Sequence, residues 1–131
     1  MPALTKICRN GLTVALLTAV LTLTATSCYD NREAKELVRE FLDNKLKNQD
    51  YTAEYFSHVD STFVISDSVL NDMRDKAQVS GLFKPLKFGD RGNSRRLNFM
   101  RVRYILDNDT IKQTFYFDDK TTCVVGVKRD F

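Results

Sequence analysis

The chain is poor in the side chains from which catalytic and metal sites are usually built. It holds one histidine and three cysteines in 131 residues. An H-E-x-x-H helix, paired cysteines for zinc, a G-x-S-x-G elbow, a phosphate-cradling glycine loop and an EF-hand loop are all missing. No metal and no cofactor is therefore expected. Internal repeats, low-complexity tracts and long like-charge blocks are also absent, which excludes repeat arrays and charged tails. Three cysteines are too few for a disulfide framework.

Charge of one sign is equally scarce. Lys6 and Arg9 precede the first acidic residue, and all 17 acidic residues follow Cys28, so residues 28–131 carry 18 basic and 17 acidic groups. A net charge near +1 argues against a protein that holds nucleic acid phosphates. The distribution is uneven: Cys28–Asp75 holds 11 acidic and 6 basic residues, Lys76–Phe131 6 acidic and 12 basic. These halves should attract each other.

What the chain does have begins at its start. Lys6 and Arg9 are followed by residues 10–29, which carry no charge, and an apolar run of Leu12, Val14, Ala15, Leu16, Leu17, Ala19, Val20, Leu21 and Leu23. A positive segment ahead of an apolar one is the arrangement of a secretory signal. The run is broken by Thr13, Thr18, Thr22, Thr24 and Thr26. It is thus poorer and shorter than the roughly 20 apolar residues needed to span a bilayer. It closes on Leu23-Thr24-Ala25-Thr26-Ser27-Cys28, which resembles the lipobox of bacterial lipoproteins: small residues leading to a cysteine. Ala25, Thr26 and Ser27 stand where Leu, Ala and Gly are commoner.

That resemblance implies cleavage between Ser27 and Cys28 and lipid attachment, including palmitate, at Cys28. The chain then divides into a signal peptide at 1–27, a short lipidated tether at 28–31 and one domain at 32–131. It also implies residence in the cell envelope, at the periplasmic face or the cell surface, with the outer membrane as the expected bilayer. Each buried methylene contributes about 0.8 kcal/mol, so more than one acyl chain makes a stable anchor.

The domain itself reads as α+β. Asp30-Asn31-Arg32-Glu33 has the pattern of a capping box. It opens a helix over about Arg32–Lys47 whose apolar stripe is Ala34, Leu37, Val38, Phe41, Leu42 and Leu46. Tyr51–Phe56 reads as one or two further helical turns capped by Asp50, and Thr62–Ile65 as a short strand. A second helix, capped by Ser66 or Asp67, runs to about Ala77 with Val69, Leu70, Met73 and Ala77 inward. Four strands follow, at Leu82–Phe88, Arg95–Asp107, Ile111–Phe117 and Thr122–Arg129, joined by turn-rich segments. The expectation is N-terminal helices packed on a four-stranded antiparallel meander. Its element order is similar to the NTF2-like and cystatin-like folds.

Two groups are candidates for chemistry. His58, the sole histidine, lies close to Asp60, and with a tyrosine they could form an acid/base pair like that of NTF2-like enzymes. Arg95, Arg101 and Arg103 share one strand parity and could form a guanidinium stripe for a carboxylate or phosphate. The competing reading is an exposed face paired with the acidic half. Asp107-Asn108-Asp109 lacks the Gly and Glu of a calcium loop and reads as a hairpin turn. Cys123, in Thr122–Val127, reads as a buried thiol acting as a small hydrophobe. The leading functional expectation is a non-enzymatic binding or accessory domain. Its partners would be the membrane, through acyl chains on Cys28, and an envelope protein or small anionic ligand, with no nucleic acid. An exported enzyme and a structural subunit of an envelope assembly are the alternatives.

Overall fold

The computed structural model describes the backbone of residues 26–130 and the side chains of residues 31–130. The expected leader ahead of Thr26 and the Cys28 side chain lie outside the described residues. Helix α1 spans Thr26–Lys45. It starts six residues before the expected Arg32, because neither Gly nor Pro interrupts residues 26–45. Asn31 lies inside the helix, and its carboxamide oxygen accepts the backbone N–H of Val59 at 3.0 Å. The stripe Ala34, Leu37, Val38, Phe41, Leu42 is buried as the spacing demands, while Lys35, Glu36, Arg39 and Glu40 face solvent.

Residues Tyr51–Phe56 form strand β1, not a helical turn. Tyr, Thr and Phe suit a pleated surface. β1 pairs antiparallel from Tyr51↔Leu106 to Phe56↔Val102, with a register shift between Ala53 and Tyr55. Strand β2 spans Asp60–Thr62, and the expected strand at 62–65 stops where it was meant to start. Its partner begins at Leu97, opposite Thr62, so Phe63 and Val64 have nothing to pair with. Helix α2, Asp67–Val79, is capped by Ser66, whose hydroxyl accepts the Val69 N–H at 3.2 Å. Leu70, Met73 and Ala77 are buried as expected, but Val69 is half-exposed.

The expected strand at 82–88 does not form. Pro85 has no N–H to give a ladder, Leu86 N–H goes to the Gln78 side chain at 2.6 Å, and only Leu46↔Phe83 makes a bridge. Phe83 is buried. Its ring meets Phe41 edge-on at 5.5 Å, and Phe41 also packs on Phe88 and Phe115. Strands β3 (Leu97–Leu106), β4 (Asp109–Phe117) and β5 (Val124–Asp130) then make the meander. Asp107 and Asn108 turn β3 into β4 with φ of +52° and +66°, the double left-handed geometry of a type I′ hairpin. The sheet is thus antiparallel with five strands, in the order β1-β3-β4-β5, with β2 beside β1 on β3. It differs from the expected four-stranded sheet by losing 82–88 and gaining β1 and β2.

The pleat divides the core in two. Met100, Val102, Tyr104, Leu106, Ile111, Phe115, Phe117 and Val127 pack against α1. Leu97 and Tyr116, of the opposite parity, pack with Leu70 and Met73 of α2 and with Cys123, and so does Val125, which the irregularity opposite Tyr116 and Phe117 turns to this face. The helices therefore lie on opposite faces. At Gly126 a Cβ would come within 2.8 Å of Leu70 Cδ1 and 2.9 Å of Met73 Sδ, so glycine lets α2 close onto β5. Arg74 completes the contact, donating Nε–H to the Val125 carbonyl at 2.8 Å and Nη2–H to that of Gly89 at 3.0 Å. Cys123 is buried as expected.

Candidate functional site

α2 covers only the β5 side of its face of the sheet. The remainder carries Arg101 and Arg103 on β3, Lys112 on β4 and Lys128 on β5. Register places Arg101 beside Thr114 and Thr114 beside Lys128, while Arg103 lies beside Lys112 and Lys112 beside Asp130. Two cations directly opposite each other repel. Glu54 relieves this on one side through an ion pair of 3.2 Å with Arg103 Nε. Asp130 does so on the other, held by the Thr114 hydroxyl at 2.7 Å and near Lys128 at 3.7 Å. Arg103 also stacks over Tyr55 at 5.3 Å and Arg101 over Phe99 at 5.5 Å. Glu54, Arg103, Thr110, Lys112, Arg129 and Asp130 line an open depression of about 680 Å³.

The guanidinium stripe is thus only partly assembled. Arg101 and Arg103 share a face as the parity required. Arg95 does not join them, because β3 begins at Leu97 and Arg95 lies in the preceding loop. There it lines a separate pocket of about 500 Å³ with Phe63, Val64 and Arg91. Lys112, Lys128 and Glu54 belong to the face and were not singled out from the sequence; the period-two alternation of Ile111–Phe117 does place Lys112 on it.

His58 opens onto a polar pocket of about 400 Å³ between the start of α1, the β1–β2 connection and the β4–β5 turn. Its other walls include Asn31, Ser61, Arg96, Asn98, Lys120 and Thr121. Asn98 is the organiser. Its carboxamide donates to the Asp119 carbonyl at 3.1 Å and to Thr121 Oγ1 at 2.9 Å, and accepts the Ser61 hydroxyl at 2.8 Å. Thr121 has φ +54°, a conformation a β-branched residue adopts only under compulsion. The compulsion comes from Asp118, whose carboxylate accepts the Thr122 and Cys123 N–H groups at 2.6 and 3.1 Å and the Thr122 hydroxyl at 2.6 Å. Asp60 is not among the groups that line this pocket, nor is any tyrosine. Asp60 instead accepts the N–H of Ser61 at 3.1 Å.

Three phenols are perturbed. Burial pushes Tyr51 up to about 12, helped by its hydrogen bond of 2.7 Å to the Asp43 carboxylate. Burial also raises Tyr104 and Tyr116, the latter helped by nearby Asp130. Tyr51 and Tyr104 serve as packing groups and hydrogen-bond donors, Tyr104 to Gln113 at 2.8 Å, and Tyr116 packs against the Phe99 ring. No group of three or more His, Cys, Asp or Glu able to hold a metal occurs among the described residues.

Among the described residues the architecture is α+β, with two helices and an antiparallel five-stranded sheet. Compared with known protein families, curated proteins and solved structures, the chain matches none.

Proposed function

We infer that this chain is a bacterial lipoprotein, an exported domain held in the cell envelope by acyl chains on Cys28, with a binding or accessory role and not an enzymatic one. The observation that carries the reading is the leader: Lys6 and Arg9, an uncharged apolar run, then Ala25-Thr26-Ser27-Cys28. A further feature supports it: α1 begins at Thr26, so Cys28 lies in its first turn and an anchor there would act directly on the folded domain. No helix among the described residues is long and apolar enough to cross a membrane.

The binding surface in this reading is the sheet face of Arg101, Arg103, Lys112 and Lys128, which suits an acidic envelope partner or a small anion. α1 lies along one face of the meander while α2 lies on the other. That favours a cystatin-like arrangement over an NTF2-like cone enclosed by several helices. The test of the anchor is Cys28→Ser in the producing cell, which should leave the precursor at full length and without fatty acid. Radiolabelled fatty acid incorporated equally into the variant would refute the assignment. For the face, Arg101→Glu with Lys128→Glu should abolish retention on an acidic column matrix at low salt; unchanged retention would remove this surface from the account.

A further inference from the structure

One end of the domain gathers features that the sheet face does not use. The start of α1 is tied there to the β1–β2 connection by Asn31, which accepts the Val59 N–H and contacts His58. Its last turn lies at the other end, where the Asn48 side chain donates to Asp107 of the β3–β4 turn at 2.8 Å. The Cys28 end is therefore also the end of β2, the start of β3 and the β4–β5 turn. Phe63 and Val64 project from it, 61% and 83% exposed, the largest exposures among the big apolar side chains after Val79 is set aside. Neighbours in the chain and both in water, Phe63 and Val64 give this end an apolar tip.

Around this pair stand Arg95, in the same pocket, and Arg96 and Lys120 in the adjoining polar one. None of these three cations enters an ion pair among the described residues. The carboxylates nearby are engaged: Asp67 pairs with Arg91 at 3.2 Å, Asp118 holds the Thr122 and Cys123 N–H groups, and Asp60 that of Ser61. Asp119 alone adds an acidic side chain to the polar pocket. Arg96 uses one N–H on the Asp119 carbonyl at 2.9 Å and keeps the rest of its fork.

We propose that this end is a bilayer-docking surface, in which Phe63 and Val64 enter the boundary between head groups and acyl chains while Arg95, Arg96 and Lys120 take the phosphates of anionic phospholipids. The occupant follows from the pairing of apolar tip and cationic rim, the combination by which interfacial segments hold anionic membranes. It rests on the lipoprotein reading for the nearness of the membrane: an anchor in the first turn of α1 brings this end, and no other, against the bilayer. Docking would turn a single-point tether into a fixed orientation, with the cationic sheet face held at a constant angle to the surface.

The chain contains no tryptophan, so one introduced indole reports its own surroundings. The full-length protein carrying Val64→Trp, extracted from membranes and reconstituted into vesicles of phosphatidylcholine with phosphatidylglycerol, should show blue-shifted emission and quenching by brominated acyl chains. Lys47→Trp, at the opposite end, should show neither. Each cation is worth about fivefold at an anionic surface, so Arg95→Gln, Arg96→Gln and Lys120→Gln together should lower the docked-to-undocked ratio about a hundredfold and abolish the quenching. Intact mass of the same sample reads acylation of Cys28 separately. An acylated Val64→Trp protein whose indole is not quenched overturns the docking surface and leaves the anchor; quenching without acylation overturns the anchor and leaves the docking surface. Equal quenching from Lys47→Trp overturns the orientation.

Discussion

The contact between α2 and β5 can be tested at Gly126. Replacing it with alanine puts a methyl group 2.8 Å from Leu70 Cδ1 and 2.9 Å from Met73 Sδ, both on buried side chains. Overpacking of this kind costs about 1–3 kcal/mol, while loss of glycine's freedom in the unfolded chain returns about 0.4–1 kcal/mol. The expected net loss is about 0.5–2 kcal/mol, read by urea denaturation followed by far-ultraviolet circular dichroism. Leu70→Ala alone should cost about 2–5 kcal/mol through the cavity it opens. The double variant is the decisive measurement, because the new methyl group would occupy space that Leu70 vacates. Its loss should fall short of the sum by more than about 0.5 kcal/mol, the threshold for residues in contact. Strict additivity would refute the packing of α2 on β5 at this point.

Arg74→Ala should lower stability by about 1–3 kcal/mol, since it strips charge-assisted hydrogen bonds from two carbonyls, Val125 and Gly89; Arg74→Lys should recover only part, and full recovery would argue against the forked geometry. Asn98→Ala leaves the Ser61 hydroxyl and Thr121 Oγ1 without their carboxamide partner, so a loss of about 1–3 kcal/mol is expected with local change confined to the β4–β5 turn; chemical-shift mapping that finds no change there would contradict the network. Tyr51, Tyr104 and Tyr116 hold their protons more tightly folded than unfolded. Their contribution is therefore full below about pH 10 and is lost as pH rises from there towards 12, because deprotonation favours the unfolded chain. Phenolate absorbance that rises for every tyrosine at once near pH 10, with no loss of structure, would be inconsistent with their burial.

Much of the fold was legible where one periodicity runs uninterrupted. The stripe from Ala34 to Leu42 and the alternation through Met100, Val102, Tyr104 and Leu106 each point to one buried side. Reading failed where a local pattern was decided by something remote. β1 lost its alternation at the irregularity between Ala53 and Tyr55, and Asp50 ahead of it looked like a helix cap. Leu82–Phe88 alternates like a strand, yet Pro85 and the Gln78 carboxamide take it off the ladder. An amphipathic stripe says that a helix is buried on one side but not against which face of a sheet, so the opposed positions of α1 and α2 could not be read from spacing. The candidate sites divide in the same way. Arg101 and Arg103 follow from strand parity, whereas Arg95 fell away because the strand is shorter than its pattern. Asn98, Lys120 and Thr121 come together through a turn whose left-handed residue is a threonine, and nothing in that residue type announces such a backbone.

The direction of α1 has a consequence for height. Seventeen residues separate Cys28 from the helix's end at Lys45, and at about 1.5 Å each they form a rigid rod of about 26 Å. The Asn48–Asp107 hydrogen bond fixes the β3–β4 hairpin at the top of that rod. In a protein tethered at Cys28 as proposed, Asp107 and Asn108 would stand about that far from the lipid, at a standoff set by helix length and not by a flexible stalk.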